Sequence, residues 1–68
     1  MDSKISLEKM FGKNIELVFD DGSGVAKREG KFINIFPELQ IIVILNNEGF
    51  IEMFRIDKLI RIKFLEKI

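Results

Sequence analysis

Gly30-Lys31-Phe32-Ile33-Asn34-Ile35-Phe36-Pro37-Glu38-Leu39-Gln40-Ile41-Ile42-Val43-Ile44-Leu45 is the stretch that decides the fold. A glycine inside an alternating strand pattern marks a bulge, a sharp bend or a close approach of another backbone, because only glycine leaves space where a Cβ would stand. Pro37 has no N–H to give to a ladder, so the strand that holds Gly30 stops near Phe36. The next strand starts at about Gln40 and carries five apolar residues in a row, Ile41 to Leu45, the pattern of a strand buried on both faces. A chain of 68 residues is too short for an open sheet to cover both sides of such a strand. The expected fold is therefore mainly β: a small, closed, five-stranded barrel with Gly30 at its corner.

Working outward, the strand that ends at Phe36 begins at Val25, after the concentrated turn signal Asp20-Asp21-Gly22-Ser23-Gly24. Before it, Ile15, Leu17 and Phe19 alternate with Glu16 and Val18, giving a first strand over Asn14 to Asp20. Ser6 is placed to cap a short N-terminal helix whose Leu7, Met10 and Phe11 fall at i, i+3 and i+4, with Gly12 ending it. On the other side, Asn46-Asn47-Glu48-Gly49 makes a hairpin into a fourth strand, Phe50 to Arg55. Ile56-Asp57-Lys58 is a tight turn, and Ile60, Ile62 and Phe64 alternate with Arg61 and Lys63 in a fifth strand. Residues 1–68 read as one domain with no linker, repeat or low-complexity segment.

A domain of this size buries only about 60% of its unfolded surface and usually needs disulfides, a metal or self-association for support. Cysteine and histidine are absent, which removes disulfides, thiolate and imidazole metal sites, and Cys or His nucleophiles and bases. Self-association remains, and a hydrophobic content of 47% agrees with it. Lys plus Arg and Asp plus Glu stand at 11 each, so no global field draws the protein to nucleic acid or anionic lipid, and any polyanion site is local. No apolar run approaches the roughly 20 residues of a membrane span, and Met1-Asp2-Ser3-Lys4 has no signal-peptide or transit-peptide character. The expected location is the cytoplasm, with no membrane contact.

Catalytic readings find little to stand on, and a protein that is not an enzyme, without metal or cofactor, is expected. The only close acidic pair, Asp20-Asp21, lies in a glycine-rich turn where aspartate is favoured for backbone reasons. Gly22-Ser23-Gly24 is followed by a strand, whereas a phosphate cradle needs a helix after it. Phe19, Phe32, Phe54 and Phe64 fall in phase with apolar neighbours and read as core, while Phe36 and Phe50 flank turns. Arg61, Lys63 and Lys67 form a basic alternation that reads first as a solvated strand face.

The order of a short helix, five strands, a bent second strand and a tight turn before the last strand resembles the Sm-like family, which includes bacterial Hfq. Its first signature has the spacing Gly, x, hydrophobic, x, x, aromatic, Asp, x, x, Met, Asn, x, x, hydrophobic. Gly30 to Val43 follows it, with Leu39 and Gln40 at the Met and Asn positions and Phe36 in place of the Asp. Its second signature, a hydrophobic residue before Arg-Gly and spaced aliphatics, is approached by Phe54-Arg55-Ile56-Asp57-Lys58-Leu59-Ile60-Arg61-Ile62, with Ile56 in place of the glycine. The resemblance implies a homo-oligomeric ring in which the fourth strand of one subunit pairs with the fifth of the next. It also implies a single-stranded RNA site at the two turns, where Gln40 would hydrogen-bond a base edge and Arg55 would stack on a base or meet a phosphate.

A weaker resemblance is to the Veg family of small bacterial barrels, through Gly12-Lys13, Glu29-Gly30 and Phe36-Pro37. Either likeness implies an SH3-like barrel. The function expected is thus a non-enzymatic, oligomeric, RNA-binding Sm-like protein. The alternative is a protein-protein interaction module of the same fold that pairs a partner chain along a strand edge.

Overall fold

The computed structural model describes residues 7–66. Its strands are β1 (Asn14–Asp20), β2 (Val25–Phe36), β3 (Ile41–Asn46), β4 (Ile51–Arg55) and β5 (Leu59–Phe64). They form one antiparallel sheet in the order β4-β3-β2-β1-β5. Single 3-10 turns cover Leu7–Met10, Pro37–Leu39 and Ile56–Lys58, and there is no α-helix among the described residues. The sequence expectation for β1 and β2 matches to the residue, and the other three strands lie within a residue of theirs.

The expected closed barrel is not what forms. β4 and β5 end the sheet on opposite sides and no ladder joins them. The sheet is instead curled enough for the Phe19 ring of β1 to reach the Phe54 ring of β4 at 4.9 Å. Side chains from distant strands therefore meet over the concave face while the backbone edges stay apart. That face gathers Met10, Ile15, Leu17, Phe32, Ile42 and Ile44, all buried, with Phe54, Leu59 and Phe64 packed against them. Burying a side chain of this kind contributes roughly 1.5–3 kcal/mol, so these positions carry the fold.

The short N-terminal helix is a single turn of 3-10 rather than α geometry. Leu7–Met10 is one 3-10 turn, for which the same i, i+3 spacing serves, and the Ser6 cap lies outside the described residues. Met10 is buried against the sheet, and Gly12, at φ 86°, turns the chain into β1. Gly12 N–H donates to the Phe32 carbonyl at 2.7 Å and Phe32 N–H donates to the Lys13 carbonyl at 2.9 Å, stitching this segment to β2.

Gly30 is a close-approach position rather than a bulge. It stays in register with both Ile15 and Asn46. A Cβ there would overlap the Leu45 carbonyl oxygen and lie 3.0 Å from Asn46 Cα and the Leu45 carbonyl carbon. The irregularity of β2 comes later, where the register with β3 jumps between Phe32 and Asn34 and leaves Ile33 as the extra residue. A second shift leaves Ile60 extra on β5, since Val18 faces Arg61 and Phe19 faces Leu59.

β3 is apolar on both sides, as its sequence requires. Ile42 and Ile44 point into the concave core, while Ile41, Val43 and Leu45 lie on the convex face opposite Arg55, Met53 and Ile51. Val43 is buried there by its lateral neighbours. Met53 and Ile51 remain 68% and 58% exposed, so no second layer covers this part of the sheet among the described residues.

Candidate functional site

The two turns that flank β3 and β4 meet at one end of the sheet. Pro37 opens the first and Gln40 closes it in the left-handed region at φ 58°. Ile56 of the second turn donates its N–H to the Gln40 carbonyl at 2.8 Å, which fixes the turns side by side. Gln40 and Arg55, singled out from the sequence, are thus brought to the same end, and both are exposed. Each side chain already has a local partner. Gln40 Nε2 donates to the Pro37 carbonyl at 2.9 Å, and the Arg55 guanidinium donates to Asp57 Oδ2 at 2.9 Å. Such an exposed ion pair is commonly worth under about 1 kcal/mol, so it offers little resistance to a competing anion.

Phe36, whose role the sequence leaves open, falls into place through register. Phe36 lies opposite Ile41, and Ile41 lies opposite Arg55. The three form one cross-strand row on the convex face. Phe36 is 40% exposed, unlike Phe32 on the same strand, which is buried in the core. No pattern within a single strand reveals the row, because it depends on which residues of three strands stand opposite one another.

Elsewhere several charges are paired. Arg28 Nε lies 3.1 Å from Glu52 Oε1 and Arg61 lies 3.8 Å from Glu16, while Asn46 Nδ2 also donates to Glu52. Lys63 stands opposite Glu16 in the ladder, which breaks the basic stripe suggested by Arg61 and Lys63, and Lys67 lies outside the described residues. A cleft of about 300 Å³ lined by Lys27, Arg28, Glu29, Asn46, Asn47 and Glu48 mixes two cations with two anions and favours neither sign of ligand. In the turn after β1, Asp20 Oδ1 accepts the Gly22 N–H at 2.8 Å, and Asp21 Oδ1 accepts the Ser23 N–H at 2.9 Å. The Ser23 backbone and hydroxyl bonds hold the Asp21 carboxyl below its ordinary value. These aspartates are occupied in shaping the turn.

The outer edges of β4 and β5 are the other notable surface. Asn46 N–H donates to the Phe50 carbonyl and Ile56 N–H to the Gln40 carbonyl, and antiparallel ladders alternate their bonded pairs. Glu52 and Phe54 therefore bond inward to β3, and Ile51, Met53 and Arg55 turn their backbone groups outward. The bond from Leu65 N–H to the Asn14 carbonyl fixes β5 in the same way, so that Ile62 and Phe64 turn theirs outward. Ile51, Met53, Ile60 and Ile62, all on these edge strands, are 40–68% exposed. Long apolar edges of this kind are templates for another strand.

No helix among the described residues is long and apolar enough to cross a membrane, and no cluster there of three or more acidic, Cys or His side chains is arranged to hold a metal ion. Compared with known protein families, curated proteins and solved structures, the chain matches none.

Proposed function

We propose that this chain is a non-enzymatic Sm-like protein that assembles with copies of itself through its two strand edges and holds single-stranded RNA where Gln40 and Arg55 meet. The observation that carries the proposal is the strand order, which leaves β4 and β5 as complementary apolar edges and sets the β2–β3 and β4–β5 turns together. Pairing β4 of one copy with β5 of the next is a head-to-tail contact, which generates a ring or a filament.

Residues directly opposed in a ladder project to the same face. The outward groups of β4 belong to Ile51 and Met53, whose side chains lie on the convex side. Those of β5 belong to Ile62 and Phe64, which stand opposite Leu17 and Ile15 on the concave side. Edge pairing would thus set Ile62 and Phe64 of one copy beside the exposed Ile51 and Met53 of the next, on one continuous face. The exposed patch would gain apolar lateral neighbours in the assembly.

Sedimentation at micromolar concentration tests the assembly, and a stable monomer across that range defeats it. Titration with oligo-U and oligo-A at low salt tests the RNA site. Arg55→Ala is expected to cost about 1–3 kcal/mol of binding, as for a base stacked on a protein side chain, without change in oligomer size, and Gln40→Ala is expected to blur base preference. Absence of binding by the wild type removes the RNA reading. The balance of Arg55 and Lys58 by Glu38 and Asp57 around the turns favours a second reading, a protein-interaction module of the same fold. RNA binding weakens steeply with salt, and strand-edge pairing does not.

A further inference from the structure

We propose that Asn34 closes a third strand edge, so that only the β4 and β5 edges are left to pair between copies; this rests on the assembly reading above. β1 flanks β2 as far as Lys31, and Gly12 and Lys13 extend that flank by one position through their bonds to Phe32. At Gly12, with φ 86°, the chain turns away. β2 itself continues to Phe36, so its last residues have β3 on one side and, among the described residues, no strand on the other.

Two features close that flank. The extra residue Ile33 interrupts the ladder just past Phe32, and a bulge of this kind bends a strand and terminates pairing. Just beyond it, Asn34 Oδ1 accepts the Ile35 N–H at 2.8 Å. A ladder alternates residues bonded to one neighbour with residues bonded to the other, and the Ile35 N–H, given to Asn34, is not given to β3, so it belongs to the open flank. An asparagine that bonds an adjacent backbone N–H offers the chain an alternative to a ladder, and the donor that an incoming strand would need is already taken. Without it the edge would be adhesive, since Ile33 and Phe36 are 39% and 40% exposed and apolar free edges pair with other chains. A head-to-tail contact uses two complementary edges, and a third would branch it.

Hydrogen exchange at single amides, followed by NMR, and sedimentation at micromolar concentration test this on the wild type, on Asn34→Ala and on Asn34→Asp, the last of which keeps the acceptor oxygen. In Asn34→Ala the Ile35 amide is expected to exchange roughly 2- to 12-fold faster, the factor that corresponds to one net hydrogen bond. The rate is taken relative to that of Leu17 on the interior strand β1, which corrects for any change in global stability. The sedimenting species of Asn34→Ala are expected to become heavier and heterogeneous, and Asn34→Asp to match the wild type in both measurements. Equal Ile35 exchange in the wild type and Asn34→Ala overturns the edge closure. Faster exchange with an unchanged sedimentation profile reduces Asn34 to satisfying a half-buried N–H and also overturns it. A wild type that sediments as a monomer defeats the assembly reading instead, and closure of the edge then holds only if Asn34→Ala associates.

Discussion

Replacing Gly30 by alanine adds one methyl group where the β3 backbone approaches closely. The new Cβ would overlap the Leu45 carbonyl oxygen and press on Asn46 Cα at 3.0 Å. All of these are main-chain atoms of the β2–β3 ladder, so no side-chain rotation relieves the clash. Overpacking of this kind costs about 1–3 kcal/mol, and the rigid neighbours put Gly30 toward the upper end. Loss of glycine's freedom in the unfolded chain returns about 0.4–1 kcal/mol. A net loss of about 2 kcal/mol is expected for Gly30→Ala, and a larger one for Gly30→Val. Domains of this length are stable by roughly 3–10 kcal/mol, so the change is a large fraction of the total. Urea unfolding at fixed protein concentration, with a slope near 1 kcal/mol/M, should show the midpoint falling by about 2 M. Lys31→Ala, at the exposed neighbouring position, is the control and should stay within about 0.5 kcal/mol of wild type. A Gly30→Ala midpoint equal to or above that of wild type would refute the close-approach account.

Met53→Lys places a charge on the exposed convex side of β4; subunit stability should change by less than about 0.5 kcal/mol while the oligomer dissociates in sedimentation, and an unchanged oligomer counts against edge assembly. Gln40→Gly relieves a left-handed conformation at φ 58° and forfeits one exposed hydrogen bond. Thermal unfolding should show it neutral or stabilised by up to about 1 kcal/mol, and marked destabilisation would mean that the Gln40 side chain holds the turn. The carboxyl of Asp21 is held below its ordinary value of 3.8 by bonds from Ser23. Its contribution to stability is therefore complete above that value and disappears as pH falls through the lower folded-state pKa. Asp21→Asn should flatten that part of the acid unfolding curve, and an unaltered curve would show that the turn bonds are not maintained in solution.

The strands were legible because their signals are local. Alternation over Asn14–Asp20, the glycine-rich turn after it and Pro37 each act within a few residues. Closure was not legible, since the two-sided apolar character of Ile41–Leu45 shows that both faces want cover without showing whether the cover comes from the same chain. The spacing of Leu7, Met10 and Phe11 serves one 3-10 turn as well as an α-helix. Ile33 gives no sign of being a bulge, because a β-branched residue suits any strand position. Gln40 and Arg55 could be placed near each other only through the resemblance to the Sm-like family, not from any local pattern. The left-handed Gln40 and the row that joins Phe36 to Arg55 could not, since the first contradicts the usual preference for glycine or asparagine and the second depends on cross-strand register.

The ladder between β1 and β5 has a consequence for the order of folding. Three of the four strand pairings join neighbours in sequence, β1–β2, β2–β3 and β3–β4, and hairpins of this kind close within microseconds. The fourth joins Ile15 to Phe64 and Leu17 to Ile62, across nearly the whole described chain. Its loop must close before any contact rewards it, so β5 docks late. Until it does, β1 is a bare edge and Ile15 and Leu17 lack the flank that β5 provides. Mutations in β5 should therefore leave the folding rate nearly untouched and hasten unfolding, whereas mutations in the β2–β3–β4 meander should slow folding. During the same interval β1 joins β4 as an edge open to pairing with the wrong chain.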